Sequence, residues 1–98
     1  LMNNSSIPAH AEETAIAVLG WLAGEPDMLG RFLALTGTRP DQLRQAIRDP
    51  AFMAGMLDFL MAHEPTLMAF CEATGIKPEA VVSASHAYSG PTPGPGDV

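Results

Sequence analysis

Apolar and polar residues alternate along most of this chain with the period of an α-helix. Apolar side chains recur at intervals of three and four residues, as in Ala11, Ala15, Val18 and Leu22, which places them on one face of a helix. No stretch alternates with a period of two residues over the length of a strand. The pattern therefore predicts an all-α fold.

Proline and glycine divide this pattern into six helices. Proline suits the first turn of a helix, where its missing N–H costs nothing and its fixed φ is already helical. Inside a helix it would cost about 3 kcal/mol. Glycine favours the left-handed conformation that ends many helices, and Gly24, Gly37 and Gly75 occupy such positions. The six prolines that precede or open a helical stretch are Pro8, Pro26, Pro40, Pro50, Pro65 and Pro78. The predicted helices span residues 8–23, 26–36, 40–48, 50–63, 65–74 and 78–88.

The two ends of the chain differ from the middle in composition. Residues 1–6 are mostly polar, and residues 89–98 consist largely of proline and glycine, so neither segment can bury much apolar surface. We expect a flexible N-terminus at 1–6, a compact helical bundle at 7–88 and a disordered tail at 89–98.

A motif in residues 32–46 recurs in residues 70–84. In each copy a phenylalanine is followed by Thr-Gly, then by a basic residue, proline and an acidic residue, and finally by an aliphatic residue and alanine. Such self-similarity favours two related three-helix units, formed by helices 1–3 and helices 4–6. The competing interpretation is convergence, since every shared residue has a role in starting, ending or anchoring a helix.

Several short motifs together resemble a known family. They are Trp21-Leu-Ala, Arg31-Phe-Leu-Ala-x-Thr-Gly37, Leu43-Arg-x-Ala46, Asp49-Pro-x-Phe52, Leu57-x-Phe-Leu60 and Glu64-x-x-Leu-x-x-Phe70. Over residues 10–88 the chain resembles DUF3572, a bacterial family of helical proteins without an assigned function. The resemblance implies a bacterial, cytoplasmic protein and supplies no site residues.

Composition and charge limit the function classes. The 98 residues carry a net charge of −6, which disfavours a general affinity for nucleic acid or anionic membranes. No apolar run approaches the roughly 20 residues of a membrane span. Cys71 is the only cysteine, which excludes an internal disulfide and is typical of a reducing compartment. We expect a cytoplasmic protein with no membrane partner.

The sequence contains no recognisable catalytic constellation. His10, His63 and His86 stand apart from one another, and no second ligand lies at the spacing of a helical metal site. Cys71 fits a small core residue better than a reactive thiol, because no basic neighbour lowers its pKa. Asp58 fits the exposed face of helix 4 better than a buried carboxylate. We expect a protein that is not an enzyme and that binds no cofactor or metal.

The main functional hypothesis is a protein-interaction or regulatory module that binds a protein partner or a second copy of itself. It rests on the many apolar positions of helices 1 and 4, and on the adaptability of methionine at interfaces. Candidate contacts are Trp21, Met53 and Met61. The competing interpretation is that these side chains fill an irregular core.

The alternative hypothesis is a nucleic-acid binder that uses helix 3. Residues 31–48 carry four arginines and one aspartate, a net charge of +3, so the rest of the chain carries −9. Side chains of these types contact base edges and phosphates. The candidate residues on helix 3 are Gln42, Arg44, Gln45 and Arg48, and the candidate nucleic-acid contacts are Arg39, Arg44 and Arg48. Cys71, Gly75 and Val81 also have the spacing of a helix-turn-helix. A solvated polar face explains the same residues.

Overall fold

The computed structural model describes residues 7–89, which form helices and no strand. In chain order the helices are α1 (Ala9–Ala23), α2 (Pro26–Thr36), α3 (Leu43–Ala46), α4 (Pro50–Met61), α5 (Glu64–Thr74) and α6 (Pro78–Ser89). The prediction of an all-α bundle of about six short helices is confirmed. The predicted N-terminal segment 1–6 and residues 90–98 of the predicted tail lie outside the described residues.

Prolines open the helices much as their fixed φ requires. Pro26, Pro50 and Pro78 are the first residues of α2, α4 and α6. Pro8 directly precedes α1, and Pro65 is the second residue of α5. The start of α4 is also capped, because the carboxylate of Asp49 accepts a hydrogen bond from the Ala51 backbone N–H at 2.9 Å.

The third helix is shorter than the predicted 40–48. A 3₁₀ turn over Pro40–Gln42 leads into the single α-helical turn of α3. A proline forces the residue before it out of the α region, and Asp49, which precedes Pro50, is extended with φ −91° and ψ 118°. The backbone N–H groups of Arg48 and Asp49 bond to the carbonyls of Gln45 and Ala46, three residues back. The 3₁₀ turn occupies residues 40–42 and α3 ends at Ala46, so the α-helical part is a single turn.

Two of the three glycines predicted to end a helix in the left-handed conformation do so. Gly37 and Gly75 adopt left-handed conformations with φ 72° and 79°. The prediction for Gly24 was wrong, since its φ is −90°. The last turn of α1 instead contains hydrogen bonds to the carbonyl three residues back, from the Gly24 N–H to Trp21 and from the Glu25 N–H to Leu22. These bonds satisfy two carbonyl groups at the end of the helix without a residue in the left-handed conformation.

The core lies where α6 packs against α1 and α4. Helix α5 packs on α4 and on the Trp21 side of α1, and α2 packs on α1 and on the Phe52 side of α4. The buried apolar side chains are Ala11, Ala15, Val18, Leu22, Phe32, Leu33, Met53, Met56, Leu57, Leu60, Phe70, Val81 and Ala84. The helices thus enclose one core, to which α4 contributes more residues than α2, α5 or α6.

The apolar side chains of α4 pack against other helices of the same chain. Phe52 and Phe59, which lie outside its buried face, hold the ring of Phe32 of α2 with ring centroids 5.2 Å away in each case. Aromatic pairs at this separation stabilise packing beyond the area they bury. The many apolar positions of helix 4 are therefore explained by contacts with α1, α2, α5 and α6.

The two copies of the repeated motif share local structure but pack differently. Phe32 and Phe70 are both buried, and each motif ends its helix on a left-handed glycine. In α6 the following Val81 and Ala84 are buried, whereas their counterparts Leu43 and Ala46 are only half-buried. The motif sets where helices end and begin, and the surrounding helices decide what is buried.

Candidate functional site

The candidate partner contacts Trp21, Met53 and Met61 do not form a common surface. Trp21 is half-buried on α1, where its ring meets Phe70 edge to face with centroids 5.8 Å apart and planes 72° apart. Met61 is half-buried on α4 and packs against the core. Met53 is only 5% exposed, so it offers a partner little to contact. Met53 fits the competing interpretation, in which methionines fill the core.

Other large apolar side chains are exposed instead. Within residues 7–89 these are Ile16, Leu35, Met68 and Val82, one on each of α1, α2, α5 and α6. Leu35 is 71% exposed, the highest value among them. It comes two residues after Leu33, which is 6% exposed, and two helical positions differ by about 200° around the axis. The exposure of Leu35 could therefore have been found from the sequence, because this aliphatic residue lies opposite the apolar stripe of its own helix.

Four arginines lie within about thirteen residues of Leu35 in the sequence. Arg31, Arg39, Arg44 and Arg48 are all exposed. Arg31 lies one turn before Leu35 on α2, at the spacing that puts two side chains on the same face. Among the described residues, the structure records no ion pair for Arg31, Arg44 or Arg48.

Arg39 differs from the other arginines because it is bound locally. Its guanidinium donates from Nε and Nη2 to the two carboxylate oxygens of Asp41, at 3.1 Å each. The Arg39 hydrogen bonds hold the pKa of Asp41 below its ordinary value. Both side chains are exposed, so the pair is screened by water and contributes little to stability. It does reduce the positive charge that Arg39 presents to a ligand.

The glutamines predicted on helix 3 have different surroundings. The side-chain oxygen of Gln42 accepts the Arg39 backbone N–H at 2.9 Å and so closes the 3₁₀ turn. Gln42 and Gln45 also line a shallow depression of about 280 Å³, together with Thr38, Ala46 and Asp49. A single α-helical turn rises only about 6 Å, so α3 presents a much shorter surface than the predicted 40–48 helix.

The titratable candidates lie apart. His63 is exposed at the start of α5, where its Nδ1 lies 2.7 Å from the Thr66 hydroxyl. Cys71 is half-buried, and its burial and the nearby Glu79 carboxylate raise the pKa of the thiol. Within residues 7–89, no group of three or more histidine, cysteine, aspartate or glutamate side chains could hold a metal ion.

Asp58 lies on the exposed face of α4, as predicted. Its carboxylate accepts a hydrogen bond of 3.0 Å from the hydroxyl of Ser85, which is buried on α6. Burying a hydroxyl without a partner is costly. The bond therefore satisfies Ser85 and joins α4 to α6, and it gives Asp58 a structural role.

No helix of residues 7–89 is long and apolar enough to cross a membrane. The family model described as "Protein of unknown function (DUF3572)" matches residues 8–91. The search of curated proteins and the search of solved structures found no match. Residues 8–91 include every helix described above.

Proposed function

The chain belongs to the DUF3572 family, and from that premise we propose that it is a non-catalytic helical module that binds another protein or a second copy of itself. The observation that carries this proposal is the exposure of Leu35, at 71%, on the side of α2 opposite the buried Leu33. A large aliphatic side chain of this kind gains free energy when a partner covers it.

The distribution of polar chemistry supports a binding role over a catalytic one. Catalysis needs a nucleophile or base held beside groups that orient it. Here His63 contacts a threonine hydroxyl, Asp58 bonds to a buried serine, and Cys71 has a raised pKa that opposes thiolate formation. The contacts of His63 and Asp58 are therefore structural, and the Cys71 thiol is not activated.

The same proposal places the module in a bacterial cytoplasm. The family resemblance implies this origin, and a lone half-buried cysteine is compatible with a reducing compartment.

Nucleic-acid binding through helix 3 receives less support from the geometry. Arg39 is paired with Asp41, and Gln42 caps the 3₁₀ turn. A major-groove reader presents several turns of helix, whereas α3 has one. A gel-shift titration against duplex DNA at low salt tests this alternative. A shift lost on Arg44→Ala and Arg48→Ala would support it over protein binding.

Two measurements test the proposed protein binding. Sedimentation equilibrium of the full chain gives its oligomeric state, and affinity capture from the native host with mass spectrometry identifies bound proteins. Both are repeated with Leu35→Ser and with the control Ile16→Ser, which changes another exposed aliphatic residue. We expect a defined complex that Leu35→Ser weakens. A chain that stays monomeric and captures no protein contradicts the proposal, whereas a complex that Leu35→Ser leaves unchanged shows that binding occurs at another surface.

A further inference from the structure

We infer that residues 25–48 form a lid that opens as a unit while α1, α4, α5 and α6 stay folded. The lid consists of α2, the 3₁₀ turn, α3 and the residues that connect them. It covers Phe52 and Phe59 of α4, whose rings contact Phe32 of α2. Opening uncovers this aromatic pair without unfolding the rest of the core, whether or not the chain binds another protein.

Little of the lid is buried. Phe32 and Leu33 are its two buried residues, and neither the 3₁₀ turn nor α3 has any. Helix α1 has five buried residues within its 15 positions, whereas the lid has two in a longer segment. Segments that bury little apolar surface open at a lower free energy than the core of the same protein.

The number of neighbouring helices separates the lid from α5. Helix α5 also has two buried residues, but it packs against α1, α4 and α6. In the lid, α2 packs against α1 and reaches α4 through Phe32, whereas α3 has no extensive contact with α1, α4, α5 or α6. Leu43 and Ile47 contact the core, but both are only half-buried. Phe32 and its neighbour Leu33 are therefore the main contacts that hold the lid closed.

The contacts between the lid and the other helices are apolar. Within residues 7–89, every recorded side-chain hydrogen bond of the lid joins two of its own residues, as does its ion pair between Arg39 and Asp41. By contrast, α4 and α6 are joined by the hydrogen bond from Ser85 to Asp58. Opening of the lid therefore breaks none of the recorded side-chain hydrogen bonds between helices.

The helices on either side of the lid have ends of their own. The Gly24 N–H bonds to the Trp21 carbonyl at the end of α1, and the Asp49 carboxylate caps the start of α4 through the Ala51 N–H. Helices α1 and α4 also pack against each other, so the two ends of the lid stay close together when it opens. Helices of 11 and 4 residues are marginal on their own in water. Opening therefore unfolds α2 and α3 and leaves the flanking helices intact.

Native-state hydrogen exchange of the full chain, followed by NMR over a series of low guanidinium chloride concentrations, tests the lid. Amides of α2 should exchange through an opening that exposes little surface, so their rates should depend weakly on denaturant. Amides of α1 and α6 should exchange through global unfolding, with a steep dependence. A single opening, with the same rate constant and the same denaturant dependence for both sets of amides, overturns the inference.

Two variants with one changed buried residue separate the lid from the core. Phe32→Leu should speed the exchange of α2 amides about tenfold, because it weakens a contact that opening breaks. Val81→Ala is the matched control, since Val81 is fully buried on α6 outside the lid. It should speed exchange in α1 and α6 by about tenfold or more and leave α2 within about twofold. Equal acceleration of both sets by Val81→Ala, or unchanged α2 exchange in Phe32→Leu, would show that the lid does not open separately.

A third variant changes the lid in the opposite direction. Gly30 is exposed in α2, and a methyl group added there meets no atom within 4 Å. Gly30→Ala should slow the exchange of α2 amides about fourfold, because alanine favours the helix that is lost on opening. Circular dichroism melts confirm that each variant is folded. Exchange of α2 amides in Gly30→Ala at the rate of the unchanged chain, or faster, contradicts an opening in which α2 unfolds.

Discussion

Two glycines of α2 should respond in opposite ways to the same substitution. Gly30 lies inside the helix, and a methyl group added there meets no atom within 4 Å. Gly37 ends the helix with φ 72°, and it too has open space around it. Since neither site is crowded, the difference between Gly30→Ala and Gly37→Ala measures backbone conformation alone.

The expected magnitudes follow from helix propensity and backbone strain. Alanine is more favourable than glycine inside a helix by about 0.8–1.0 kcal/mol. A left-handed conformation costs an L-residue about 1–2 kcal/mol, of which about 0.4–1 kcal/mol is offset because alanine restricts the unfolded chain. Gly37→Ala should therefore lower the free energy of unfolding by about 0.8 kcal/mol, at the middle of these ranges.

Thermal denaturation followed by far-UV circular dichroism gives the comparison. One kcal/mol moves the Tm of a domain of this size by about 4–8 °C. Gly30→Ala should raise the Tm by about 3–8 °C, and Gly37→Ala should lower it by about 3–6 °C.

Gly24→Ala provides the control for a helix end without positive φ. Gly24 has φ −90°, and an added methyl group would lie 3.5 Å from the Trp21 carbonyl oxygen, an ordinary contact. Its free energy of unfolding should rise by about 0.4–1 kcal/mol, because alanine restricts the unfolded chain and the native backbone is not strained. If Gly37→Ala stabilised the chain as Gly30→Ala does, or if Gly24→Ala were as costly as Gly37→Ala, the assignment of helix ends would be refuted.

Two further predictions concern the core and the thiol. Phe70→Ala should lower the free energy of unfolding by about 3–5 kcal/mol, since Phe70 is fully buried against Trp21. Urea denaturation followed by Trp21 fluorescence measures this change. A loss below about 1 kcal/mol would show that the ring is not in the core. Cys71 should react with iodoacetamide more slowly in the folded chain than in the urea-unfolded chain at about pH 8.5, the ordinary pKa of a free cysteine. The reason is that burial and Glu79 raise its pKa and so lower the thiolate fraction at that pH; equal rates at matched urea-corrected pH would contradict this.

Local sequence was sufficient to predict most helix boundaries. The fixed φ of Pro26, Pro50 and Pro78 and the missing Cβ of Gly37 and Gly75 act within one turn of chain, so no distant contact is needed to place them. Pro50 likewise keeps Asp49 out of the α region, as its place before a proline predicts, but the 3₁₀ turn at Pro40–Gln42 was not predicted. Gly24 shows the limit of this reasoning, because a glycine permits a left-handed conformation without requiring it.

The candidate site was predicted in part. The cluster of arginines is visible in the sequence, because charge can be counted along the chain. The pairing of Arg39 with Asp41 depends on the geometry of the 3₁₀ turn. The place of Leu35 outside the apolar stripe of α2 is visible in the sequence, but its exposure also depends on the absence of a helix that covers that side among the described residues.

The sequence by itself determined the helices of this protein, most of their ends and the uneven distribution of its charge. Tertiary structure decided which apolar side chains outside the buried stripe of a helix are covered by a neighbouring helix. Phe59 of α4 and Leu35 of α2 both lie outside the buried stripe of their helix, yet Phe59 packs against Phe32 and Leu35 is exposed. Periodicity within one helix identifies the stripe, whereas the cover of the remaining side chains depends on which helices pack together.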